Sequence, residues 1–459
     1  MRRPRAPRVA GRHLAGAALL AALATSCATL GPGAGTPVPA PTGAPAPRGR
    51  EAAVARPEPL RIVGEPRFDV GMALDLESVT LDPVKGAELV RLDARGGRLR
   101  ARVGAGALVV RVESGGSGAS WRSGSTHGTL DSGDTLFVGG DGARLPSDPF
   151  RVRWNGKTWR GPFKLFLNPR GRLTVAVRLP LETYLLGVVP GEIGALRPDL
   201  LEAGRAQAIA ARSYTLFYRG RRAAEGFDLF GTVEDQVYGP EESERPLATR
   251  CVESTSGRVA LSEGQPIRAN YCSTCGGITA EVWEAWPAAS LPYLVSQRDR
   301  GSGDWCASSP QYRWREQWSA AELASNLGRY APAQGVALPA GGVGEIVDVT
   351  IASRSRSGRV WRLRVATTTG DIEIPAYAIR QVLRRAGNPA AILRSNLFKL
   401  DVRRDPATRR ALAVVASGAG SGHGVGLCQT GSLGMARAGA SAESILAHYY
   451  AGIEIRRLY

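Results

Sequence analysis

The chain has 459 residues, of which 43% are hydrophobic and 22% charged, a composition typical of globular proteins with two modest domains or one elaborate domain. Beyond the N-terminus no apolar run is long enough to span a bilayer, which excludes a polytopic membrane protein. The net charge is +18, but the basic residues are scattered and form no Lys/Arg-rich run with interleaved aromatics, so we expect no nucleic-acid partner. The surplus fits an anionic surface or polymer instead.

The N-terminus predicts export. Five arginines between Arg2 and Arg12 precede an apolar run over residues 14–23, and small residues lead from this run to Cys27. The pattern is typical of a secretory signal peptide, here residues 1–27, and the apolar run is too short to cross a membrane. Residues 24–27 approximate a lipobox, in which Cys27 would carry the lipid of a membrane anchor; ordinary signal cleavage nearby is the alternative. Both interpretations place the mature protein outside the cytoplasm, and we expect it in the cell envelope.

The next two regions differ sharply in composition. Residues 28–60 are mostly Pro, Ala, Gly and Thr, and they cannot bury enough apolar surface to offset the entropy of ordering, so we predict a disordered tether. Residues 61–178 alternate short apolar runs with Gly, Asp and Asn, which predicts a β-rich part. Its clearest strands are Leu89–Leu92, Ala107–Val112 and Leu173–Arg178, and Asn155-Gly156 is typical of a hairpin turn.

Helices are predicted after this β-rich part. Leu181, Leu185 and Val188 share one face of a helix that we expect Pro190 to end, and Pro198 opens a longer helix to about Tyr218. The remaining predicted elements are strands over residues 258–261, 267–271, 346–351, 360–367 and 412–416, and helices over residues 320–327, 376–384 and 441–452. Because strands and helices are segregated rather than regularly alternating, the fold class predicted is α+β.

One acidic residue lies between the first two predicted helices. Glu192 follows Pro190 and Gly191 and is flanked by Val189 and Ile193. Burial among these apolar neighbours would raise the pKa of Glu192 toward the value that a general acid needs. The alternative is a solvated surface glutamate in a loop between helices, and the local sequence alone favours that alternative.

The cysteines allow two kinds of site. The chain has six cysteines, and five remain if Cys27 carries lipid. Cys272, Cys275 and Cys306 are close in sequence, with a spacing compatible with tetrahedral zinc, although a second CxxC is missing. An oxidising compartment favours a disulfide instead, and spacing alone leaves both open. Cys251 and Cys428 are interpreted as small buried hydrophobic residues.

Two further segments carry polar chemistry. Residues 417–426 form a glycine-rich loop around His423; no Gly-Lys-Ser/Thr follows, so it is not a P-loop, and His423 fits a functional and a structural role equally well. Asp235–Gly239 combines carboxyl, amide and aromatic groups, which suit sugar binding or a plain turn. No HExxH, GxSxG or paired Asp/Glu motif is present, which argues against a metalloprotease or serine hydrolase.

Taken together, six segments resemble the stage II sporulation protein D (SpoIID)/LytB family. In family order they are LPLETYLLGVVPGEI (residues 179–193), RAQAIAARSY (205–214), DQVYG (235–239), YCSTCGG (271–277), GHGVGLCQ (422–429) and ILAHYY (445–450). The resemblance spans roughly Phe68 to Tyr459. It implies a catalytic core over residues 179–310, followed by a mixed α/β segment (311–416) and by a Gly-rich loop and C-terminal helix (417–459) that complete the core.

The resemblance implies a peptidoglycan lytic transglycosylase acting in cell-wall remodelling, with Glu192 at the family's catalytic position. That reaction cleaves the glycan between N-acetylmuramic acid (MurNAc) and N-acetylglucosamine (GlcNAc) and forms a 1,6-anhydro ring. One carboxyl suffices because no water enters, which fits the absence of a carboxylate pair. The alternative is a non-catalytic wall-binding protein that modulates an N-acetylmuramoyl-L-alanine amidase.

The family motifs also supply candidate binding residues and partners. The substrate-binding candidates are Gln207, Arg212, Asp235, Gln236, Tyr238, Ser273, His423 and Gln429. This chain has Cys272 where relatives have histidine, and the resemblance favours structural zinc on Cys272, Cys275 and Cys306 with an unidentified fourth ligand; the chemistry itself requires no cofactor. The expected partners are peptidoglycan glycan strands and a cell-wall amidase, with membrane contact only through an N-terminal lipid anchor.

Overall fold

The computed structural model describes residues 60–141 and 150–459. The predicted signal peptide, Cys27 and the tether up to residue 59 lie outside the described residues. Within the described part, no helix has both the length and the apolar character needed to cross a membrane.

The prediction of a mixed α+β fold with a β-rich N-terminal part is confirmed: 36% of the structure is strand and 23% helix, and the first twelve strands precede the first α-helix. The strands are β1 (Arg67–Leu76), β2 (Ser78–Pro83), β3 (Ala87–Leu92), β4 (Arg98–Val103), β5 (Leu108–Val112), β6 (Gly118–Ser123), β7 (Thr126–Asp131), β8 (Thr135–Val138), β9 (Arg151–Trp154), β10 (Lys157–Arg160), β11 (Phe163–Leu167), β12 (Leu173–Pro180), β13 (Leu229–Phe230), β14 (Arg258–Ser262), β15 (Gln265–Pro266), β16 (Tyr271–Cys272), β17 (Arg313–Ser319), β18 (Ile346–Arg354), β19 (Val360–Thr367), β20 (Gly370–Pro375), β21 (Phe398–Arg404), β22 (Ala411–Ala419), β23 (Leu427–Cys428) and β24 (Glu454–Arg457). The helices are α1 (Leu181–Ile193), α2 (Leu201–Phe217), α3 (Pro246–Ser254), α4 (Ala320–Tyr330), α5 (Ala376–Leu383), α6 (Gln429–Arg437) and α7 (Ala442–Tyr449).

The β-rich part forms two sheets. A seven-stranded sheet has the order β13-β1-β12-β11-β8-β3-β4, and a six-stranded sheet has the order β10-β9-β2-β5-β6-β7. The predicted hairpin is confirmed: β9 and β10 pair antiparallel with Trp154 opposite Lys157, and Asn155 and Gly156 have φ of 51° and 70°. Positive φ at both turn residues is the geometry that suits the twist of a two-residue hairpin.

Strand β12 leads directly into α1, whose predicted end is wrong. The helix continues through Pro190 and Gly191 to Ile193 and is closed by Gly194, whose N–H bonds to the Pro190 carbonyl and whose φ is 76°. A proline removes only its own N–H from the helix ladder, and one more turn forms here before the glycine cap. Glu192 is therefore a helical residue in the last turn of α1.

Helix α2 is the centre of the main hydrophobic core. Every residue from Ala206 to Leu216 is buried, because the helix contacts α1, α3, α6, α7 and β14. The small residues in its middle allow these elements to approach closely, as the sequence predicts. The main core joins residues from Phe68 to Tyr450, so both ends of the described chain contribute to it.

A second, smaller core is built from residues between Trp314 and Ala416. It packs α4 and α5 against two three-stranded sheets, ordered β17-β22-β21 and β18-β19-β20. Strand β19 has the predicted bounds, and α5 ends one residue earlier than predicted. The chain then returns to the main core, where β23 pairs in parallel with β16.

The last part of the chain mixes confirmed and missed elements. Helix α7 follows Ser441 as predicted, and the Ser441 hydroxyl accepts the Ser444 N–H at 3.2 Å. The predicted strand over residues 267–271 is reduced to β16, which begins at Tyr271, and α3 and α6 were not predicted. Both missed helices are short, nine residues each, and α6 contains two glycines.

Candidate active site and buried cysteine cluster

Glu192 is partly buried, and both oxygens of its carboxylate accept hydrogen bonds. Oε1 accepts the backbone N–H of Val237 at 3.0 Å, and Oε2 accepts the side-chain amide of Gln429 at 3.3 Å. These partners come from a loop after β13 and from the first residue of α6. Three segments far apart in sequence therefore converge on one carboxylate.

Two glycines in α1 allow the Val237 loop to reach Glu192. Gly187 and Gly191 are one helical turn apart, and the Gly187 carbonyl accepts the N–H of Gly239 at 3.2 Å. A Cβ on Gly187 would lie 2.6 Å from the Gly239 carbonyl oxygen, whereas a Cβ on Gly191 would lie at an ordinary 3.4 Å from Val237. The absence of a side chain at Gly187 thus permits the close approach that positions Val237 beside Glu192.

The pairing of β16 with β23 positions Gln429. Tyr271 lies opposite Leu427 and Cys272 opposite Cys428, so the residue that follows β23 begins α6 at the same end of this small sheet. The Thr430 N–H bonds to the Ser273 carbonyl at 3.0 Å and closes the junction. Gln429 is held by its neighbours on both sides while its side chain reaches Glu192.

A buried amide orients Tyr271 toward the same carboxylate. Gln236 donates to the Tyr271 hydroxyl oxygen at 3.0 Å, and the Gln236 carbonyl oxygen accepts from Thr215 at 2.7 Å and from Tyr184 at 3.3 Å. Because the Tyr271 oxygen accepts the Gln236 amide, its own hydrogen is available for the Glu192 carboxylate, to which it hydrogen-bonds. Tyr271 is a site residue that sequence reasoning did not assign, although it begins the YCSTCGG motif.

The pKa of Glu192 is raised above its ordinary value. Burial is the main cause, and the hydrogen bonds from Val237, Gln429 and Tyr271 oppose it without cancelling it. Among the residues that the structure describes, the three groups that lower this pKa are neutral. No cation among them stabilises the charged carboxylate. The position at the C-terminal end of α1 disfavours a negative charge further, because the helix dipole is negative there. Such a carboxyl group can carry a proton and deliver it.

Several predicted substrate-binding residues are instead part of the scaffold. Arg212 is fully buried and its guanidinium pairs with Glu182 at 2.6 Å, while Gln207 is fully buried in α2. Tyr238 is buried between Tyr184 and Trp159, with ring centroids 5.4 and 5.6 Å away. These side chains have no surface to offer to a glycan, so their predicted binding role does not fit the structure.

Asp235 also supports the loop rather than a ligand. Its side chain is buried, pairs with Arg221 at 2.8 Å and accepts the Phe230 N–H at 2.9 Å. Gln236, next in sequence, is fully buried and acts on the site only through Tyr271. The DQVYG motif therefore orders the segment that carries Val237.

Besides Gln429, two of the predicted residues, Ser273 and His423, are not fully buried. Ser273 is exposed beside the Gln429 junction. His423 is partly buried, its ring centroid lies 4.8 Å from that of Trp286, and its Nδ1 accepts the Val425 N–H at 3.0 Å. Burial, together with the nearby positive charges of Arg380, Arg359 and Arg268, lowers the pKa of His423 to about 3. Its ring is therefore neutral, with the hydrogen on Nε2 when Nδ1 accepts.

Two of the three predicted zinc ligands, Cys275 and Cys306, lie together in a buried cluster. Cys275, Asp299, Cys306 and Cys428 each place one ligand atom within 4.8 Å of the others, and all four side chains are fully buried. Cys272 is not part of this group. Its Cβ lies against Gly422, and a Cβ added at Gly422 would lie only 2.9 Å from it. Cys428, interpreted as a small hydrophobic residue, and Asp299, which the sequence did not single out, take the remaining places.

Two open cavities of about 580 and 470 Å³ lie on the β-rich part, and Glu192 lines neither. The second is lined by charged groups that already form ion pairs, such as Arg178 with Asp69 at 2.7 Å and Arg98 with Asp141 at 2.9 Å. Paired charges of this kind stabilise structure. The unusual chemistry is concentrated at Glu192 and at the cysteine cluster.

Comparisons with known proteins agree with this organisation. Residues 169–261, which include α1, α2 and Glu192, match the family model described as "Stage II sporulation protein". Residues 306–426, which include the second core, match a model described as "Domain of unknown function (DUF8618)".

The chain is also similar to individual proteins. Stage II sporulation protein D of Bacillus subtilis is 27% identical over 298 residues, covering 60% of this chain and 74% of the relative. An uncharacterised protein of Brachyspira hyodysenteriae is 27% identical over 302 residues, covering 66% and 73%. The amidase enhancer of Bacillus subtilis is 26% identical over 307 residues, covering 58% of this chain and 39% of that protein. The match over the Glu192 region and these relatives together show that the chain is similar to the SpoIID family.

Proposed function

We propose that this protein is a peptidoglycan lytic transglycosylase that cleaves the bond between MurNAc and GlcNAc, with Glu192 as acid and then base. The observation that carries the proposal is the Glu192 environment, in which burial raises the pKa and only neutral groups bind the carboxylate. The similarity to the SpoIID family and the relative named as an amidase enhancer support a role at the cell wall. Such a role requires export, which is the function predicted for residues 1–27.

In the first step, protonated Glu192 donates its proton to the glycosidic oxygen. The bond from that oxygen to C1 of MurNAc breaks, GlcNAc leaves with a hydroxyl group, and positive charge develops at C1. The carboxylate left behind accepts hydrogen bonds from the Val237 N–H, the Gln429 amide and the Tyr271 hydroxyl. These donors are in place before the reaction and stabilise the charge that the proton transfer creates.

In the second step the same carboxylate acts as base. It removes the proton from the C6 hydroxyl of MurNAc, and the C6 oxygen attacks C1 and closes the 1,6-anhydro ring. Glu192 regains its proton, so the cycle ends in the starting state. No water is consumed, and a second carboxylate, which a hydrolytic glycosidase uses to activate water or form a covalent bond, has no task.

The second candidate function is modulation of a wall amidase without catalysis, which the similarity to the amidase enhancer favours. A modulator needs a binding surface but has no use for a carboxyl group whose pKa is raised by burial. The Glu192 environment therefore favours the enzyme, and the two functions differ in their products.

The test compares the wild type, Glu192→Gln and the control Glu253→Gln on purified sacculi and on peptide-stripped glycan. Glu253 is exposed on α3, so the control removes a helical glutamate outside the site. We expect mass spectrometry to show anhydro-MurNAc ends from the wild type and the control, and a loss of about 10²- to 10⁴-fold in Glu192→Gln with glycan binding retained. Release by Glu192→Gln at the normal rate would falsify the proposal. No anhydro products from the wild type, with stimulation of an added amidase, would establish the modulator instead.

A further inference from the structure

We propose that Cys275, Asp299, Cys306 and Cys428 bind one zinc ion in a closed, structural site. The proposal concerns folding of the core and does not depend on the reaction assigned to Glu192. Its starting point is the convergence of four buried ligand atoms within 4.8 Å of one another, from residues up to 153 positions apart in sequence.

The spacing of the sulfur atoms suits a metal. Sγ of Cys275 and Sγ of Cys306 are 3.7 Å apart. Tetrahedral zinc with Zn–S bonds of about 2.3 Å separates its sulfur ligands by about 3.8 Å, whereas a disulfide requires about 2.05 Å. A disulfide would also use two of the three sulfurs and leave the third thiol buried beside a carboxylate. A metal uses all three.

The carboxylate of Asp299 requires a positive partner. The residue is fully buried, and its Oδ1 accepts the Tyr449 hydroxyl at 2.8 Å and contacts Nε2 of His448 at 3.2 Å. Its Oδ2 lies 3.0 Å from the Cys275 sulfur and faces the cluster. A buried carboxylate beside thiols is costly unless a cation neutralises it. Tyr449 and His448 orient the outer oxygen and leave the inner one for the metal, as second-shell partners do.

Backbone groups are arranged to stabilise thiolates. The Cys428 sulfur accepts the N–H groups of Cys275 at 3.2 Å and Gly431 at 3.3 Å, and the Cys275 sulfur accepts the Gly277 N–H at 3.4 Å. Cys428 is also the N-cap of α6, where the helix dipole favours negative charge. Gly431 is required for space, because a Cβ there would lie 2.5 Å from Asp299 Oδ2. Sulfurs surrounded by N–H donors are expected for metal-bound thiolates.

The location assigns the ion a structural role. Four protein ligands complete a tetrahedral zinc site and leave no position for substrate. The ion would join the segment after β16, the loop over residues 299–306 and the start of α6. Cys428 directly precedes Gln429, whose amide bonds to Glu192. Zinc would therefore fix the start of α6, which carries Gln429. The metal would hold this residue in place and take no part in the reaction.

The first experiment measures metal and thiols in the purified wild-type chain, produced with zinc in the medium and without chelator. We expect one zinc per chain by elemental analysis, released in proportion as a mercurial reagent modifies the thiols. X-ray absorption at the zinc edge should show three sulfur neighbours at about 2.3 Å and one oxygen at about 2.0 Å. Folded, metal-free protein whose thiols become reactive only after reduction would overturn the proposal in favour of a disulfide.

The second experiment uses matched cysteine variants. Cys275→Ser and Cys428→Ser should lose zinc and unfold at lower temperature, whereas Cys272→Ser and Cys251→Ser, which remove buried cysteines outside the cluster, should keep one zinc per chain. Asp299→Asn should lower zinc affinity, measured by competition with a chromophoric chelator. Retention of stoichiometric zinc in Cys428→Ser, or its loss in Cys272→Ser, would contradict the ligand set. Because zinc content is measured without substrate, these outcomes are independent of whether Glu192 is catalytic.

Discussion

Two glutamates at opposite ends of α1 show how one helix places the same side chain in two different electrostatic environments. Glu182, in the first turn, is bound by the guanidinium of Arg212 at 2.6 and 2.8 Å, by the Tyr459 hydroxyl at 2.6 Å and by the Gly257 N–H at 3.1 Å. Burial alone would raise the pKa of Glu182, but Arg212, together with the hydrogen bonds from Tyr459 and Gly257, outweighs burial and holds the pKa below its ordinary value. Glu192, in the last turn, has a raised pKa.

The difference lies in the charge of the partners, since each carboxylate accepts several hydrogen bonds. A cation stabilises the anion of Glu182, whereas the partners of Glu192 are neutral and leave burial uncompensated. The helix dipole adds to the contrast, because it favours a negative charge at the N-terminal end and disfavours one at the C-terminal end. A buried carboxyl group without a nearby cation is suited to donate a proton, as we propose for Glu192, whereas a cation makes the Glu182 carboxylate part of a structural ion pair.

The largest expected effect comes from removing the cation that pairs with Glu182. Arg212→Met leaves the Glu182 charge partly buried without its cation, and we expect a loss of about 3–5 kcal/mol in the free energy of unfolding by urea at pH 7. Arg197→Met is the control, since Arg197 and Asp199 form an exposed pair whose loss should change the free energy of unfolding very little. Equal losses in the two variants would mean that the buried pair does not anchor α1.

A medium effect tests how the Val237 loop reaches the other end of α1. Gly187→Ala places a methyl group against the Gly239 carbonyl, and we expect a loss of about 1–3 kcal/mol in unfolding free energy from overpacking, with reduced activity. Gly191→Ala has room for its methyl group and should gain up to about 1 kcal/mol from higher helix propensity. The measurement is thermal and urea unfolding of the two variants. If Gly187→Ala were as stable as Gly191→Ala, the close contact at Gly187 would not matter for stability.

The smallest expected effect comes from removing one hydrogen-bond donor from Glu192. Gln429→Leu removes one neutral donor from the Glu192 carboxylate, so the anion is less stable and its pKa rises further. Activity that needs protonated Glu192 should then persist to higher pH, while kcat/KM falls about tenfold because the charge left after proton transfer has lost a hydrogen bond. The measurement is the pH profile of anhydro-product release. A lower rate with an unshifted alkaline limb would assign Gln429 a purely structural role.

Much of the fold follows from local sequence pattern. The alternation in β19 and the Asn155-Gly156 turn predicted their elements accurately, because a half-buried strand and a two-residue hairpin are specified by adjacent residues. The end of α1 was mispredicted because whether a helix tolerates Pro190 depends on the turn that follows. The strand that became β16 was predicted too long, and α6 was not predicted. Both elements depend on partners far away in sequence, which local pattern does not reveal.

The site was less accessible to sequence reasoning. Glu192 was singled out by the order of six motifs rather than by its own neighbours, which suggested a surface residue. Membership in the same motifs did not distinguish contact residues from scaffold, and Arg212 belongs to the scaffold. Asp299 and Cys428 were not assigned to the cysteine cluster because side chains brought together by tertiary folding leave no spacing pattern in the sequence. The signal available was a predicted set of three cysteines with no fourth ligand, in a chain that has a further cysteine.

The most direct test of the central claim is the titration of the two carboxyl groups by NMR on protein labelled with ¹³C at the glutamate side chains. Spectra of Glu192→Gln and Glu182→Gln would assign the two resonances by their disappearance. We predict that Glu192 titrates above the exposed glutamates and Glu182 below them, so that in a window of pH between the two pKa values one end of α1 is protonated and the other charged. A Glu192 that titrates at or below the exposed glutamates would contradict the account.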